Sequence, residues 1–202
     1  MLKIDQKGML LIISGPSGAG KGTLVKELMR SDPSIRFSCS VTTRKARHGE
    51  IDGVHYHFID DAAYDRLLEE DAFLEYATVH GHRYGTLKKQ VEEVLSTGRS
   101  ILLDIDPQGA IRVMERVSDY VSIYILPPSF DALRVRLHTR NTDDPAEIER
   151  RLLNARTEIK NVSRYQYAII NDLQEMALAQ LKNIVNAEKL RTTRFHPTIT
   201  DD

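Results

Sequence analysis

The stretch GPSGAGKGT, Gly15 to Thr23, puts four glycines and a lysine into nine residues, directly after the apolar run MLLIIS at residues 9–14. Glycines let successive backbone N–H groups converge on one anion, because no Cβ blocks the turn. A helical pattern follows, with Leu24 and Leu28 on one face, and its N-terminal end adds partial positive charge. The spacing Gly15-x-x-x-x-Gly20-Lys21 matches most of the P-loop pattern. Gly15, Pro16, Ser17, Gly18, Ala19, Gly20, Lys21, Gly22 and Thr23 are therefore the candidate cradle for a donor triphosphate. Within it, Lys21 serves as a point charge for the β- and γ-phosphates. The common pattern has Ser or Thr directly after the lysine to bind Mg²⁺; here Gly22 stands there. The metal is then expected on ATP oxygens, water and a carboxylate, which suits its reluctance to shed waters.

Outward from this loop, short apolar runs alternate with amphipathic stretches. Residues 9–14, 101–105, 121–126 and 167–170 read as short continuous strands covered on both faces. Helical stripes lie between them: Leu87, Val91, Val94 and Leu95 with Gly98 as a stop; Ile111, Met114 and Val117; Phe130, Leu133 and Leu137; Ile148, Leu152, Ala155 and Ile159; Leu173, Ala177, Leu181 and Ile184. Asp172 with Glu175 reads as a capping pair for the last helix. The alternation predicts an α/β three-layer sandwich around a parallel core sheet, about residues 8–34 and 78–190. Residues 35–77 break the rhythm and read as an inserted α+β lid. A second, small lid at about 139–151 joins two arginine-bearing helices, and the tail 191–202 reads as flexible.

With 202 residues and 41% hydrophobic content the chain fits one domain with a real core. A net charge of −1 creates no global field for nucleic acid or an anionic membrane. Apolar runs of about five residues are far short of a bilayer span, and MLKIDQKG lacks an apolar signal core. The single cysteine, Cys39, reads as a small, partly buried side chain and fits a reducing compartment, so the cytoplasm is the expected location. The seven histidines do not complete a metal site: His55 and His57 alternate along a strand with no third clustered ligand. No heptad stretch defines an oligomer interface.

Three further segments carry chemistry. In SCSVTTRKARHGEIDGVHY, residues 38–56, Arg44 and Arg47 stand three apart, and two guanidinium forks suit one phosphate dianion, with Tyr56 adding a neutral O–H. FLEYATVHGHRYGT, residues 73–86, holds Glu75, Tyr84 and Thr86. In ILLDIDPQGA, residues 101–110, Asp104 and Asp106 at i and i+2 point to one face near a strand's C-terminal end, where α/β sheets bind ligands.

Together these motifs resemble guanylate kinase. SVTTRKAR is similar to that family's S-x-T-T-R-x-x-R loop, GEIDGVHYHF to its G-E-x-x-G-x-x-Y-x-F, ILLDIDPQG to its D-I-D-x-Q-G, and YAIIND to its late I-x-N-D. FLEYATVHGHRYGT is similar to its F-[LI]-E-x-A-x-x-x-G-x-x-Y-G-T/S. The resemblance runs from about residue 10 to 190. It implies Mg²⁺-dependent transfer of the ATP γ-phosphoryl group to GMP or dGMP. It assigns the GMP phosphate to Arg44, Arg47, Tyr56 and Tyr84, and the guanine to Ser40, Glu75, Thr86 and Asp106. The chemistry agrees: Glu75 and Asp106 can accept from guanine N1–H and its amine, and Ser40 or Thr86 can donate to O6. It places Asp104 beside the Mg²⁺ waters, Arg140 and Arg151 on the transferring phosphoryl group, and Asn171 near the ATP adenine. Asn141 replaces the usual glycine after Arg140, and Pro107 the usual tryptophan or methionine. Arg134, Arg136, Arg150 and Arg156 read as solvated or ion-paired helix residues. Two other readings stand beside this one: a protein-binding scaffold of the same fold, and a related kinase for another phosphorylated acceptor.

Overall fold

The computed structural model describes residues 2–79, 81–139 and 145–199. Arg140, Asn141 and His80, singled out above, lie outside the described residues. The strands are β1 (Leu2–Gln6), β2 (Leu10–Ser14), β3 (Ile35–Phe37), β4 (Val41–Thr42), β5 (His57–Phe58), β6 (Phe73–Val79), β7 (His82–Leu87), β8 (Ser100–Asp104), β9 (Val121–Leu126), β10 (Tyr167–Ile170) and β11 (Phe195–Ile199). The helices are α1 (Lys21–Ser31), α2 (Asp61–Glu69), α3 (Lys88–Ser96), α4 (Pro107–Arg116), α5 (Phe130–Thr139), α6 (Pro145–Glu158) and α7 (Gln174–Lys189), with a 3-10 turn at Ile159–Arg164.

Five strands form an all-parallel sheet in the order β10-β9-β2-β8-β3. Because side chains alternate along a strand, β2 feeds two cores at once. Met9, Leu11 and Ile13 pack with Leu24, Leu28, Ala177 and Leu181 of α1 and α7. Leu10 and Ile12 pack on the opposite face with Val91, Ala110, Val113 and Tyr124, under α3 and α4. This is the three-layer α/β sandwich. Its strands end on one edge, so Ser14, Ser38, Asp104 and Asn171 all arrive at or near that edge, and the site is built there.

A second sheet, β5-β4-β7-β6, carries α2 over its own small core of Val41, Tyr64 and Phe73. It is fastened to the main body through α4: Arg112 donates to the Tyr76 carbonyl, and Arg116 Nη1 to the Leu74 carbonyl at 2.8 Å.

Several expectations need correction. Residues 35–37, expected in the insert, form β3, the edge strand of the main sheet, and β7 carries the small sheet on to Leu87. The edge strand is three residues long and half exposed, too short for its pattern to show. The tail is not loose over its described part: β11 pairs antiparallel with β1. Its anchor is Arg194, 2% exposed, whose guanidinium meets Glu188 Oε2 at 2.6 Å and also Asp119. Asp172 and Glu175 do not cap α7; Leu173 takes the N-cap position with no side-chain hydrogen bond. On α4 the deepest residues are Ala110 and Val113, with Ile111 and Met114 only partly buried, because small residues bring this helix close to the sheet.

Candidate active site

The glycine loop joins β2 to α1 by a path that two glycines make possible. Gly15 has φ 144°, and a Cβ there would stand 2.2 Å from the Ile125 carbonyl oxygen. Gly20, left-handed at φ 88°, precedes α1, and a Cβ there would stand 2.3 Å from Asn171 Nδ2. Asn171 is buried and donates Nδ2 to the Ala19 carbonyl at 2.8 Å. It braces the cradle from beneath. No side chain caps the N-terminus of α1, so its first N–H groups remain for an anion. Lys21 arches back over the loop, its Nζ donating to the Gly15 carbonyl at 2.5 Å and to that of Pro16 at 3.3 Å. Ala19 is buried, and Thr23 is exposed on α1 outside the cleft.

Across from the loop stands the wall built by the other motifs. Gly15, Ser17, Gly18, Gly20, Lys21 and Gly22 share one cleft of about 370 Å³ with Ser40, Arg47, Tyr56, Glu75, Tyr84, Asp104 and Asp106. Arg151 enters it from α6, its Nη1 3.4 Å from Ser17 Oγ and its Nε 3.0 Å from Glu147 Oε1. Five stretches of the chain thus meet in one cleft.

Glu75 occupies an inward position of β6, 3% exposed. A bulge between Phe73 and Glu75 shifts the register so that Glu75 faces Thr86 on β7. The Thr86 hydroxyl donates to Glu75 Oε1 at 2.7 Å. Thr86 is fully buried beside Glu75. Burial pushes the Glu75 carboxyl up to about 7, with Asp106 adding to the rise and Thr86 opposing it.

Asp104 ends β8, and Asp106 has left the strand to become the N-cap of α4. Its Oδ1 accepts from Gln108 N at 2.8 Å and Gly109 N at 3.3 Å. The two acids share the cleft, one as a strand end and the other as a helix cap. Burial raises the Asp104 carboxyl, and the Lys21 charge opposes that rise.

Arg44 packs against Tyr56 and Tyr84 of this wall. It is 8% exposed, and its guanidinium carbon sits 5.4 Å from the Tyr56 ring centre. Its Nε donates to Tyr84 Oη at 3.3 Å, while Nη1 and Nη2 each donate to Glu50 at 2.9 Å.

Sequence reasoning missed Glu50, Glu158 and Gly109. Glu158 lines the cleft at the end of α6, raised by burial and by Asp106 and lowered by Lys21. Gly109 matters for what it lacks: a Cβ there would stand 2.5 Å from Glu75 Oε2. What marks them is the neighbours they meet from other segments of the chain, which only packing creates. Arg136, read as a solvated or ion-paired residue, donates Nη2 to the Asn171 carbonyl at 2.9 Å, which ties α5 to the residue under the loop.

The family model described as guanylate kinase matches residues 7–188. The chain is 47% identical over 193 residues to a guanylate kinase of Mesorhizobium japonicum, covering 95% of this chain and 88% of the relative. It is 44% identical over 197 residues to one of Clostridium perfringens, covering 98% and 91%. Among solved structures it resembles the guanylate kinase of Anaplasma phagocytophilum, with TM-score 0.78, 35% identity, and coverage of 96% and 92%.

Proposed function

The chain belongs to the guanylate kinase family and is an ATP:GMP phosphotransferase, and from that premise we propose how its residues divide the work. The glycine loop and Lys21 hold the donor's phosphates. Arg44, Arg47, Tyr56 and Tyr84 hold the acceptor's phosphate. Glu75 and Asp106 accept from guanine N1–H and its amine, and Ser40 donates to O6. Adenine lacks the N1–H and carries an amine where guanine has O6, so it leaves the buried carboxylate unpaired. Such a mismatch costs several kcal/mol, roughly 10³-fold in selectivity. dGMP is a second acceptor on this reading.

No side-chain nucleophile is required. A GMP phosphate oxygen attacks the γ-phosphorus, and the bond to the ADP oxygen breaks. The protein brings two mutually repelling anions together and neutralises the transferring charge with Lys21, Arg44, Arg47 and Arg151. Arg140 joins them on the strength of the resemblance. Mg²⁺ fits the donor set: Gly22 offers no hydroxyl, and among the described residues no group of three metal-ligating side chains occurs, whereas Asp104 is a half-buried acid lining the same cleft as Lys21. Asp104 would hold the ion through water, and the ion would supply charge neutralisation between the phosphates. Small nucleotides are the partners in this reading, not nucleic acid or membrane. Among the described residues no helix is long and apolar enough to cross a membrane. With a lone buried Cys39, the cytoplasm is the compartment that suits it.

One observation carries the assignment: the phosphate loop and the paired acids Glu75 and Asp106 open onto the same cleft. An intact cradle facing a base-reading wall favours catalysis over a scaffold role, and the acid pair favours guanine over a phosphorylated sugar. ADP release measured across GMP, dGMP, AMP, CMP and UMP tests it. Turnover should be confined to the guanine nucleotides, and comparable rates on AMP would refute the base assignment. Lys21→Ala should abolish turnover while sparing GMP binding, and Glu75→Gln should weaken GMP alone.

A further inference from the structure

The hydrogen bonds of Arg44 lead to a residue outside the cleft, Glu50. A guanidinium carries five N–H hydrogens in a plane, arranged as an end edge across Nη1 and Nη2 and a side edge across Nε and Nη2. The end edge is taken by Glu50: Nη1 donates to Oε2 and Nη2 to Oε1, both at 2.9 Å. The other Nη1 hydrogen goes to the Lys45 carbonyl at 2.8 Å. The side edge faces the acceptor wall, where Nε meets Tyr84 Oη at 3.3 Å. Among the described residues no acceptor takes the second Nη2 hydrogen, and it lies on that same side edge.

Glu50 also governs the neighbouring arginine. Its Oε2 accepts from the Arg47 backbone N–H at 2.7 Å, and its own N–H donates to the Arg47 carbonyl at 3.0 Å. One carboxylate therefore closes the turn from residue 47 to 50 and locks the guanidinium of Arg44 end-on. The hydrogen bonds from Arg44 hold the Glu50 carboxyl below the usual carboxylate range, so it stays charged.

We propose that Glu50 is a positioning residue for phosphate recognition: it occupies the end edge of Arg44 and orients the Arg47 turn, so that the side edge of Arg44 and the Arg47 side chain converge on the acceptor phosphate beside Tyr84. This rests on the acceptor assignment above. Glu50 does not touch the substrate. It removes the rotamer freedom of a long side chain before binding, which is where a pre-organised clamp gains affinity.

The test is Glu50→Gln, in the full chain, with steady-state kinetics in both substrates. Gln cannot accept on both oxygens and offers an amide N–H to the guanidinium instead. KM for GMP should rise roughly ten- to a hundredfold, in line with losing hydrogen bonds to a charged partner. KM for ATP should stay within about twofold of the parent, and so should the affinity for guanosine, followed by NMR titration, because the base wall is untouched. Glu50→Asp keeps the charge at shorter reach and should fall between parent and Gln; it carries the test should the Gln variant not fold. An unchanged or lowered KM for GMP would overturn the proposal, as would an equal loss of guanosine affinity. A parent protein inactive on GMP would remove the acceptor assignment itself, a result separable from a failure of Glu50 alone.

Discussion

Gly109 owes its place to Glu75: a Cβ on residue 109 would stand 2.5 Å from Glu75 Oε2 and 3.4 Å from Asp106 Oδ2. A missing side chain on α4 thus lets a buried acid on another element reach the cleft. Gly109→Ala should help the helix by up to about 1 kcal/mol in intrinsic propensity. The same change must displace the Glu75 carboxylate. The expected outcome is a KM for GMP raised about tenfold or more, with KM for ATP unchanged and no loss of thermal stability beyond a few degrees. A variant with parental GMP kinetics would show that Glu75 need not sit where it does.

Glu75 also gives a pH signature. Its carboxyl moves from an ordinary value near 4.5 to about 7 in the folded protein, chiefly by burial. A raised carboxylate favours the protonated form in the fold. Its cost to stability is therefore absent below about 4.5, grows as pH rises, and reaches about 3 kcal/mol above 7. Guanine's donors need the ionised form, so GMP binding at pH 7 should release about half a proton from this group. Calorimetry in two buffers of different ionisation enthalpy measures this. Glu75→Gln should abolish most of the release and flatten the stability profile between those pH values.

Two glycines of the cradle should respond in opposite directions. Gly22, in the first turn of α1, has nothing within 4 Å of a built Cβ, whereas Gly20 is left-handed and would strike Asn171. Gly22→Ala should stabilise by about 0.5–1 kcal/mol, by restricting the unfolded chain. Gly20→Ala should destabilise by at least about 1 kcal/mol and weaken ATP binding. Urea unfolding with and without ATP distinguishes them; equal effects would contradict the geometry of the loop.

The C-terminal strand depends on a buried ion network. Arg194 meets Glu188 Oε2 at 2.6 Å, and Glu188 Oε1 accepts from Tyr167 Oη at 2.6 Å. Arg194→Ala leaves the Glu188 charge buried without its main partner, for a loss of roughly 3–5 kcal/mol. Adding Glu188→Ala should recover part of that loss, so the double variant is expected to be less destabilised than the sum of the singles. Additive losses would mean the two side chains act independently.

Transfer must exclude water from the γ-phosphoryl group, so the small sheet and α2 are expected to swing toward the glycine loop when both nucleotides bind. Small-angle scattering should record a smaller radius of gyration with GMP and a non-hydrolysable ATP analogue. Identical dimensions with and without them would speak against closure.

Much of this protein was legible as pattern. The four runs 9–14, 101–105, 121–126 and 167–170 correspond to β2, β8, β9 and the edge strand β10, because continuous apolar runs bounded by polar residues have few other uses in a chain of this composition. The glycine loop was legible because its function constrains backbone geometry directly. Glu75 was legible through the motif at residues 73–86 and through guanine's need for an acceptor, whereas its inward place on β6 came only with the strand pairing. Short or half-exposed elements were not legible. The three residues of β3 and the pairing of β1 with β11 draw their stability from neighbours distant in the chain.

By itself the sequence determined the residue types and local backbone freedom: a strand-loop-helix phosphate cradle, the arginines 44 and 47, and the acids 75, 104 and 106. These follow from near-neighbour spacing, which the chain carries wherever it goes. Only the tertiary structure decided which atoms of those residues are available. A one-residue bulge turned Glu75 onto Thr86, a helix cap took one oxygen of Asp106, and Glu50 took the end edge of Arg44. Such choices depend on register and on contacts between elements, and those are settled only when the sheets and helices pack.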